Sequence, residues 1–259
     1  MRMLNGFLNV DRFLARAVNA FIYMSKAIEQ LYCNLGIPPA QGQIIYDPFD
    51  LTSSTETNHT AELRAEFGLT PHDRLISNVG RLDWWKGQDY FVRAMAEVVQ
   101  THPEAKALIV GEPNATHLSQ VFYQNLQQLV TDLNLSRHVI FTGFRADIPR
   151  IMAASDMVVH SSSEPEPFGR VIVEAMAVGR PVIATAAGGV LDIIEDRVNG
   201  LLVPPKNSNL MAQAIQKLLQ NQEQARLIGQ RAQCRVRECF SPKQHVTAVE
   251  NIYQKILAR

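Results

Sequence analysis

Two sets of residues combine the types and spacing needed to hold a phosphorylated, hydroxyl-rich molecule. The first is Gly80-Arg81 with Lys86-Gly87 shortly after it, at the end of an apolar run over 75–79. A guanidinium and an ammonium in one loop offer two cationic donors to a single anion, as a diphosphate requires, and glycine admits close backbone approach. The same residues also describe an ordinary solvated loop. The second set is Glu166-Pro167-Phe168-Gly169, followed by Arg170, with Glu174 eight positions after Glu166. If a helix starts near 169, its first-turn N–H groups face the loop and make a second anion site. Glu166 then suits two sugar hydroxyls, and Glu174 on the second turn suits a ribose diol. The plainer alternative is that Glu166 caps the helix and Glu174 forms an i,i+4 ion pair with Arg170.

Around these sets, His160 ends an apolar run, where it either touches a ligand or makes a strand-end hydrogen bond; no proton-transfer role follows. Trp84-Trp85 either stack on a ligand or divide between packing and surface. Gly188-Gly189 marks another strand-to-helix turn, either close to a diphosphate or simply tight. His72, Asp73 and Asp83 read as loop residues. Cys33, Cys234 and Cys239 match no zinc or redox spacing, so neither a structural metal nor a disulfide framework is expected.

What must position these residues is a parallel α/β frame. From 74 onward, β-rich runs over 75–79, 107–110, 138–141, 157–160, 181–184 and 201–203 alternate with helical patterns over 88–100, 118–133, 148–154, 169–178 and 190–196. That rhythm predicts a Rossmann-like doubly wound parallel sheet, in which loops leaving the carboxyl ends of strands bind ligands. Helices over 209–219, over 223–238 and from Ser241-Pro242 to about 257 close the chain. The first fifty residues differ: a helix over 10–17, a strand over 20–24, a helix N-capped by Ser25 and a strand over 43–46. The polar run 52–60 connects them to a short helix over 61–67 ended by Gly68.

The bulk composition narrows the function. With 25 Lys+Arg against 25 Asp+Glu the formal charge is zero, so no nucleic-acid-binding surface is expected and any anion site is local. Hydrophobic residues make up 46% of the 259, enough for a buried core. The N-terminus turns polar too early for a secretory core, and no apolar run reaches the ~20 residues of a membrane span. The expectation is a cytoplasmic protein, or one peripheral at the inner membrane face.

Taken together and in order, several segments resemble the donor domain of group 1 (family 4) retaining glycosyltransferases, which have the GT-B fold. They are Arg81 and Lys86, the spaced pair Glu166 and Glu174, and the run from Glu174-Ala175-Met176 through Val178-Gly179-Arg180-Pro181 to Ala184-Thr185. Phe141-Thr142-Gly143-Phe144, Ser155-Asp156, Gly188-Gly189 and Asn199-Gly200-Leu201 through Pro204-Pro205 complete the match. The resemblance implies that Arg81 and Lys86, with Gly80, hold the diphosphate of a UDP- or GDP-sugar and stabilise its charge as the glycosidic bond breaks. Glu166 would bind the sugar hydroxyls with the backbone amides around Phe168 and Gly169, with Pro167 and Arg170 also lining the donor, while Glu174 would bind the ribose and Gly143, Phe144 and Arg145 the base. It implies no metal cofactor, and no Asp-x-Asp occurs near the site. It also implies transfer of a hexosyl group with retention to a sugar, lipid-linked or small-molecule acceptor, in glycan, polysaccharide or glycolipid synthesis.

The chain departs from that family in its first part. Residues 1–50 resemble only the last strand-helix-strand portion of an acceptor domain, 51–240 make the donor domain, and 241–259 a helix crossing back toward the acceptor side. The apolar face of that helix, Val246, Val249, Ile252 and Ile256, is expected to be exposed unless a partner covers it. Two functions remain open on the sequence: a glycosyltransferase acting with a separately encoded N-terminal domain or as part of a longer product, and a truncated, non-catalytic nucleotide-sugar-binding module.

Overall fold

A computed structural model describes residues 15, 17–38, 42–50 and 60–258. Most of the helix expected over 10–17 and of the connection over 52–60 lies outside the described residues. Strand β1 (Phe21–Tyr23), helix α1 (Lys26–Asn34) and strand β2 (Gly42–Ile44) form a strand-helix-strand unit in which the two strands pair in parallel. Ser25 caps α1 as its sequence predicts, its hydroxyl accepting from the Ile28 amide at 3.2 Å.

The remainder is one parallel sheet wrapped by helices. Its elements are α2 (Thr60–Glu66), β3 (Arg74–Val79), α3 (Gln88–Thr101), β4 (Ala105–Val110), α4 (His117–Asp132), β5 (Val139–Gly143), α5 (Ile148–Ala154) and β6 (Met157–His160). Then follow α6 (Arg170–Ala177), β7 (Val182–Thr185), α7 (Val190–Ile193), β8 (Leu201–Val203), α8 (Ser208–Gln220), α9 (Gln222–Cys239) and α10 (Pro242–Leu257). The strand order is β5-β4-β3-β6-β7-β8, with every described pairing parallel. Consecutive strands step outward from β3 in one direction and then from β6 in the other. The order therefore reverses between β3 and β6, and that reversal opens a crevice at their carboxyl ends.

The strands read as unbroken apolar runs because both faces are covered. Ile76, Ala107, Ile109, Met157, Val159 and Ile183 pack with α3, α4 and α8. Their neighbours Leu75, Leu108, Val158, Val182 and Ala184 point the other way, toward α2, α5 and α6. The helix expected over 190–196 is shorter, because α7 ends at Ile193 and Asn199 then turns the chain by accepting from the Glu195 amide at 2.9 Å. In α10, Ile252 is buried, Val249 and Ile256 are partly covered, and Val246 is exposed, so only part of the expected apolar face is open.

Helix α9 crosses the turn after α6 at a glycine. A Cβ on Gly229 would sit 2.1 Å from the Gly179 carbonyl oxygen. At an exposed helix site, Gly→Ala stabilises by up to ~1 kcal/mol. Here the backbone contact reverses the sign, and Gly229→Ala is expected to lower the unfolding free energy by about 1–3 kcal/mol in urea denaturation.

Candidate functional site

The crevice is lined by the loops that leave β3 and β6, and these loops are fastened to each other. Asn78 donates to the Val159 carbonyl at 2.8 Å and to the Ser161 hydroxyl at 2.9 Å. Ser161 in turn donates to the Lys86 carbonyl at 2.9 Å, and the Ser163 amide donates to the Trp85 carbonyl at 2.8 Å. Residues Trp84–Lys86 form a single 3-10 turn, capped by Asp83, before α3 begins. Gly87 follows at φ 66, and a Cβ there would lie 2.1 Å from the Ser161 carbonyl oxygen. Position 87 must therefore be glycine on two counts, and its close approach aims Lys86 across the crevice.

Lys86 meets Glu166. The ammonium lies 2.5 Å from Glu166 Oε1 and 4.1 Å from the centre of the Trp85 ring. The same carboxylate oxygen accepts from the Ser162 hydroxyl at 2.6 Å and stands 3.2 Å from His160 Nε2. His160 is 5% exposed, and Thr185 Oγ1 closes its other side 3.4 Å from Nδ1. Glu166 itself is only 7% exposed. Its backbone is held from below, where the Gly189 amide donates to the Glu166 carbonyl at 2.7 Å and a Cβ on Gly188 would lie 2.2 Å from that oxygen. Gly188-Gly189 therefore serves the backbone of the acidic loop.

Glu166 does not cap α6. Gly169, at φ 108, is the N-cap and supplies no side-chain hydrogen bond, so the start of this eight-residue helix faces the loop without a protein side-chain cap. Phe168 is buried among Tyr46 and Phe240, leaving only its backbone on the loop side. Glu174 makes the ion pair weighed above: its carboxylate lies 3.1 Å from Arg170 Nε, with the arginine side chain 72% exposed. Burial raises the Glu174 carboxyl above its ordinary value, against the opposing effect of Arg170.

Beside the crevice, Gly80, Arg81, Glu112, Asn114, Phe144 and Arg145 line part of an open cleft of about 330 Å³. Phe144 is 70% exposed there. Gly143 is not among its lining residues; at φ 70 it turns the chain, and its carbonyl accepts from the Gly111 amide at 2.9 Å. Arg145 is committed to the protein, with Nε 2.8 Å from Asp147, a second contact to Glu66, and Phe67 under its guanidinium. Arg81 is exposed and, among the described residues, makes no ion pair. His160 makes the strand-end hydrogen bond, one of the two roles its position allows, whereas Ser162 has no signal in the sequence beyond the run His160-Ser161-Ser162-Ser163 at a strand end.

The electrostatics of Glu166 are measurable. Burial raises its carboxyl, but His160 and then Lys86 outweigh burial and bring the value from 4.5 down to about 2. A depressed value means that ionised Glu166 contributes stability that is complete above pH 4.5 and is lost as the pH falls through about 2. Between pH 6 and pH 3 this group is expected to remove on the order of 2 kcal/mol. Glu166→Gln should flatten that part of the urea-midpoint profile, and parallel profiles for the two proteins would contradict the assignment.

Comparison with known proteins accords with this geometry. A family model for "Glycosyl transferases group 1" matches residues 59–235. An uncharacterized glycosyltransferase of Methanocaldococcus jannaschii is 29% identical over 238 residues, covering 90% of this chain and 59% of the relative. The D-inositol 3-phosphate glycosyltransferase of Mycobacteroides abscessus is 35% identical over 193 residues, covering 74% and 42%. The chain thus spans about half the length of these relatives. Among solved structures, HepE of Anabaena, in complex with UDP and glucose and also with UDP-glucose, superposes with a TM-score of 0.88 at 34% identity, covering 97% of this chain and 67% of that one. With the Rossmann-like sheet, the crevice at its strand-order reversal and a family match over most of its length, this chain belongs to the group 1 glycosyltransferases.

Proposed function

We propose that this chain is the donor-binding half of a retaining glycosyltransferase that moves a hexosyl group from a nucleotide-diphosphate sugar to an acceptor. One observation carries the reading: Lys86 and Glu166 meet in the crevice at the reversal of strand order, next to an open cleft edged by Gly80, Arg81 and Phe144. The cleft takes the nucleoside, with Phe144 and Arg145 against the base, Gly143 turning the chain that presents them, and Glu174 on the ribose. The diphosphate lies over Gly80, where Arg81 is uncommitted and Lys86 is within reach from its pair with Glu166. As the glycosidic bond breaks, these two cations and the uncapped start of α6 stabilise the leaving charge, the work a divalent metal does in other sites. Glu166, kept ionised, accepts from the sugar hydroxyls through its remaining oxygen, while the Pro167–Arg170 backbone fixes their height. Positioning and fixed charge then supply the catalysis, with the acceptor attacking the face the nucleotide leaves.

In this reading residues 1–50 are the end of an acceptor-binding domain, 51–240 the donor domain, and 241–259 a return helix. Transfer needs the remainder of the acceptor domain, in a longer product or a separate polypeptide. The alternative of a non-catalytic module is not favoured, because the relatives are named as transferases. Among the described residues no helix is long and apolar enough to cross a membrane; a cytoplasmic location, or a peripheral one at the inner face, is the accompanying proposal.

Ligand binding tests the reading. UDP at a hundredfold excess over its Kd is expected to raise the melting temperature by roughly 5–10 °C without added magnesium. A rise only with metal, or none with UDP or GDP, would remove the claim. Lys86→Ala is expected to abolish binding of UDP and of pyrophosphate in calorimetry while far-UV circular dichroism is unchanged. Glu174→Ala should weaken UDP at least tenfold and pyrophosphate less than twofold; equal losses would contradict the ribose role.

A further inference from the structure

The strand-helix-strand unit at the start of the chain grips the loop that carries Glu166. Ser25 is fully buried, and its hydroxyl does two things at once. It accepts from the Ile28 amide at 3.2 Å, capping α1, and it donates to the Pro167 carbonyl at 2.6 Å. The next residue makes the second contact, the Lys26 amide donating to Asp192 Oδ2 at 2.6 Å. Asp192 is 8% exposed and places a carboxylate at the positive end of α1, where it is held by a charged hydrogen bond and by the helix dipole. The Lys26 ammonium, 3.8 Å away with its side chain 72% exposed, adds little.

The two acceptors lie on two different loops that are already locked together. Pro167 follows Glu166, and Asp192 lies in α7, which begins directly after Gly189. The Gly189 amide donates to the Glu166 carbonyl at 2.7 Å, and a Cβ on Gly189 would lie 2.5 Å from the Pro167 carbonyl oxygen. A second contact comes from the same unit's trailing segment, where Tyr46 stacks 6.2 Å from Phe168 and the Phe49 amide donates to the Phe240 carbonyl at 2.8 Å. The segment that follows Glu166 and the neighbouring helix α7 are thus both tied to residues that precede the sheet domain by sequence.

We propose that Ser25 and Asp192 are positioning residues that clamp the start of α1 onto the Glu166 loop, so that the orientation of the N-terminal unit sets the geometry of that loop. The proposal deepens the donor-site reading and rests on it for its ligand, since the loop holds the sugar and the neighbouring cleft holds the nucleotide. The clamp therefore acts chiefly on the sugar half of the donor, and less on the nucleoside in the cleft edged by Gly80, Arg81 and Phe144. A movement of the N-terminal unit would be felt at the sugar before it was felt at the base.

The test compares two ligands on the whole chain. Ser25→Ala and Asp192→Ala are each expected to weaken UDP-glucose about tenfold in calorimetry while UDP changes less than twofold. Gly229→Ala, whose clash falls on the Gly179 carbonyl at the turn after α6 and touches neither Ser25 nor Asp192, controls for general destabilisation and should leave the ratio of the two affinities unchanged. A ratio unchanged in Ser25→Ala and Asp192→Ala would overturn the proposal, however much their melting temperatures fall. A second measurement needs no ligand and stands even if the chain binds no nucleotide sugar: exchange of the Gly189 amide, which donates to the Glu166 carbonyl, should speed up at least tenfold in both variants. Exchange equal to that of the unaltered chain would also overturn it.

Discussion

A carboxylate taken almost wholly out of water has to be compensated where it stands, and Glu166 is that carboxylate. Desolvation of such a group costs several kcal/mol unless cations and hydrogen-bond donors surround it. Lys86 arrives from the loop after β3, while His160 and Ser162 arrive from the end of β6 and the loop after it, and all three converge on Oε1. These loops meet only because the strand order reverses between β3 and β6 and leaves their carboxyl ends side by side. The backbones then come so close that Gly87 lies against Ser161, and Gly188 and Gly189 against the Glu166–Phe168 segment, with no room for a Cβ at any of the three. The geometry of the site follows from meeting that one electrostatic demand.

The remaining charges divide between holding the protein together and standing ready. Arg145 is spent on Asp147 and Glu66, and Arg170 reaches Glu174 along one face of α6. Arg81 keeps its guanidinium at the surface of the cleft. A chain of zero net charge therefore still keeps an uncommitted cation, Arg81, at the edge of the cleft. Phe168 shows the same division within a single residue. Its ring is committed to the aromatic cluster with Tyr46 and Phe240, and its backbone is left to the loop.

The N-terminal unit is fastened at the loop rather than at the sheet. Ser25 and Lys26 reach Pro167 and Asp192, and His245 at the start of α10 donates through Nδ1 to the Tyr46 carbonyl at 3.0 Å. The segment from Ser25 to Phe49 and the start of α10 thus meet beside the acidic loop.

By itself the sequence determined the alternation of strands and helices, because a sheet covered on both faces leaves unbroken apolar runs such as Leu75-Ile76 and Val182-Ile183-Ala184, while the helices between them alternate polar and apolar faces. It also determined the order of the motifs, the cap at Ser25, and the choice of Arg81, Lys86, Glu166 and Glu174 as the residues to watch. Local pattern has no knowledge of partners distant in the chain, and that is where tertiary structure decided. Lys86 and Glu166 are eighty positions apart and become a 2.5 Å pair only through the sheet's strand order. His160 became part of the same cluster because β6 ends beneath it, and Gly188-Gly189 became a backbone support because α7 starts there. Arg145 is held by Asp147, two residues further on, and also by Glu66, a residue on a helix that its own neighbourhood does not reveal. Period and spacing are properties of a segment, whereas burial, charge compensation and close backbone approach exist only once the segments have met.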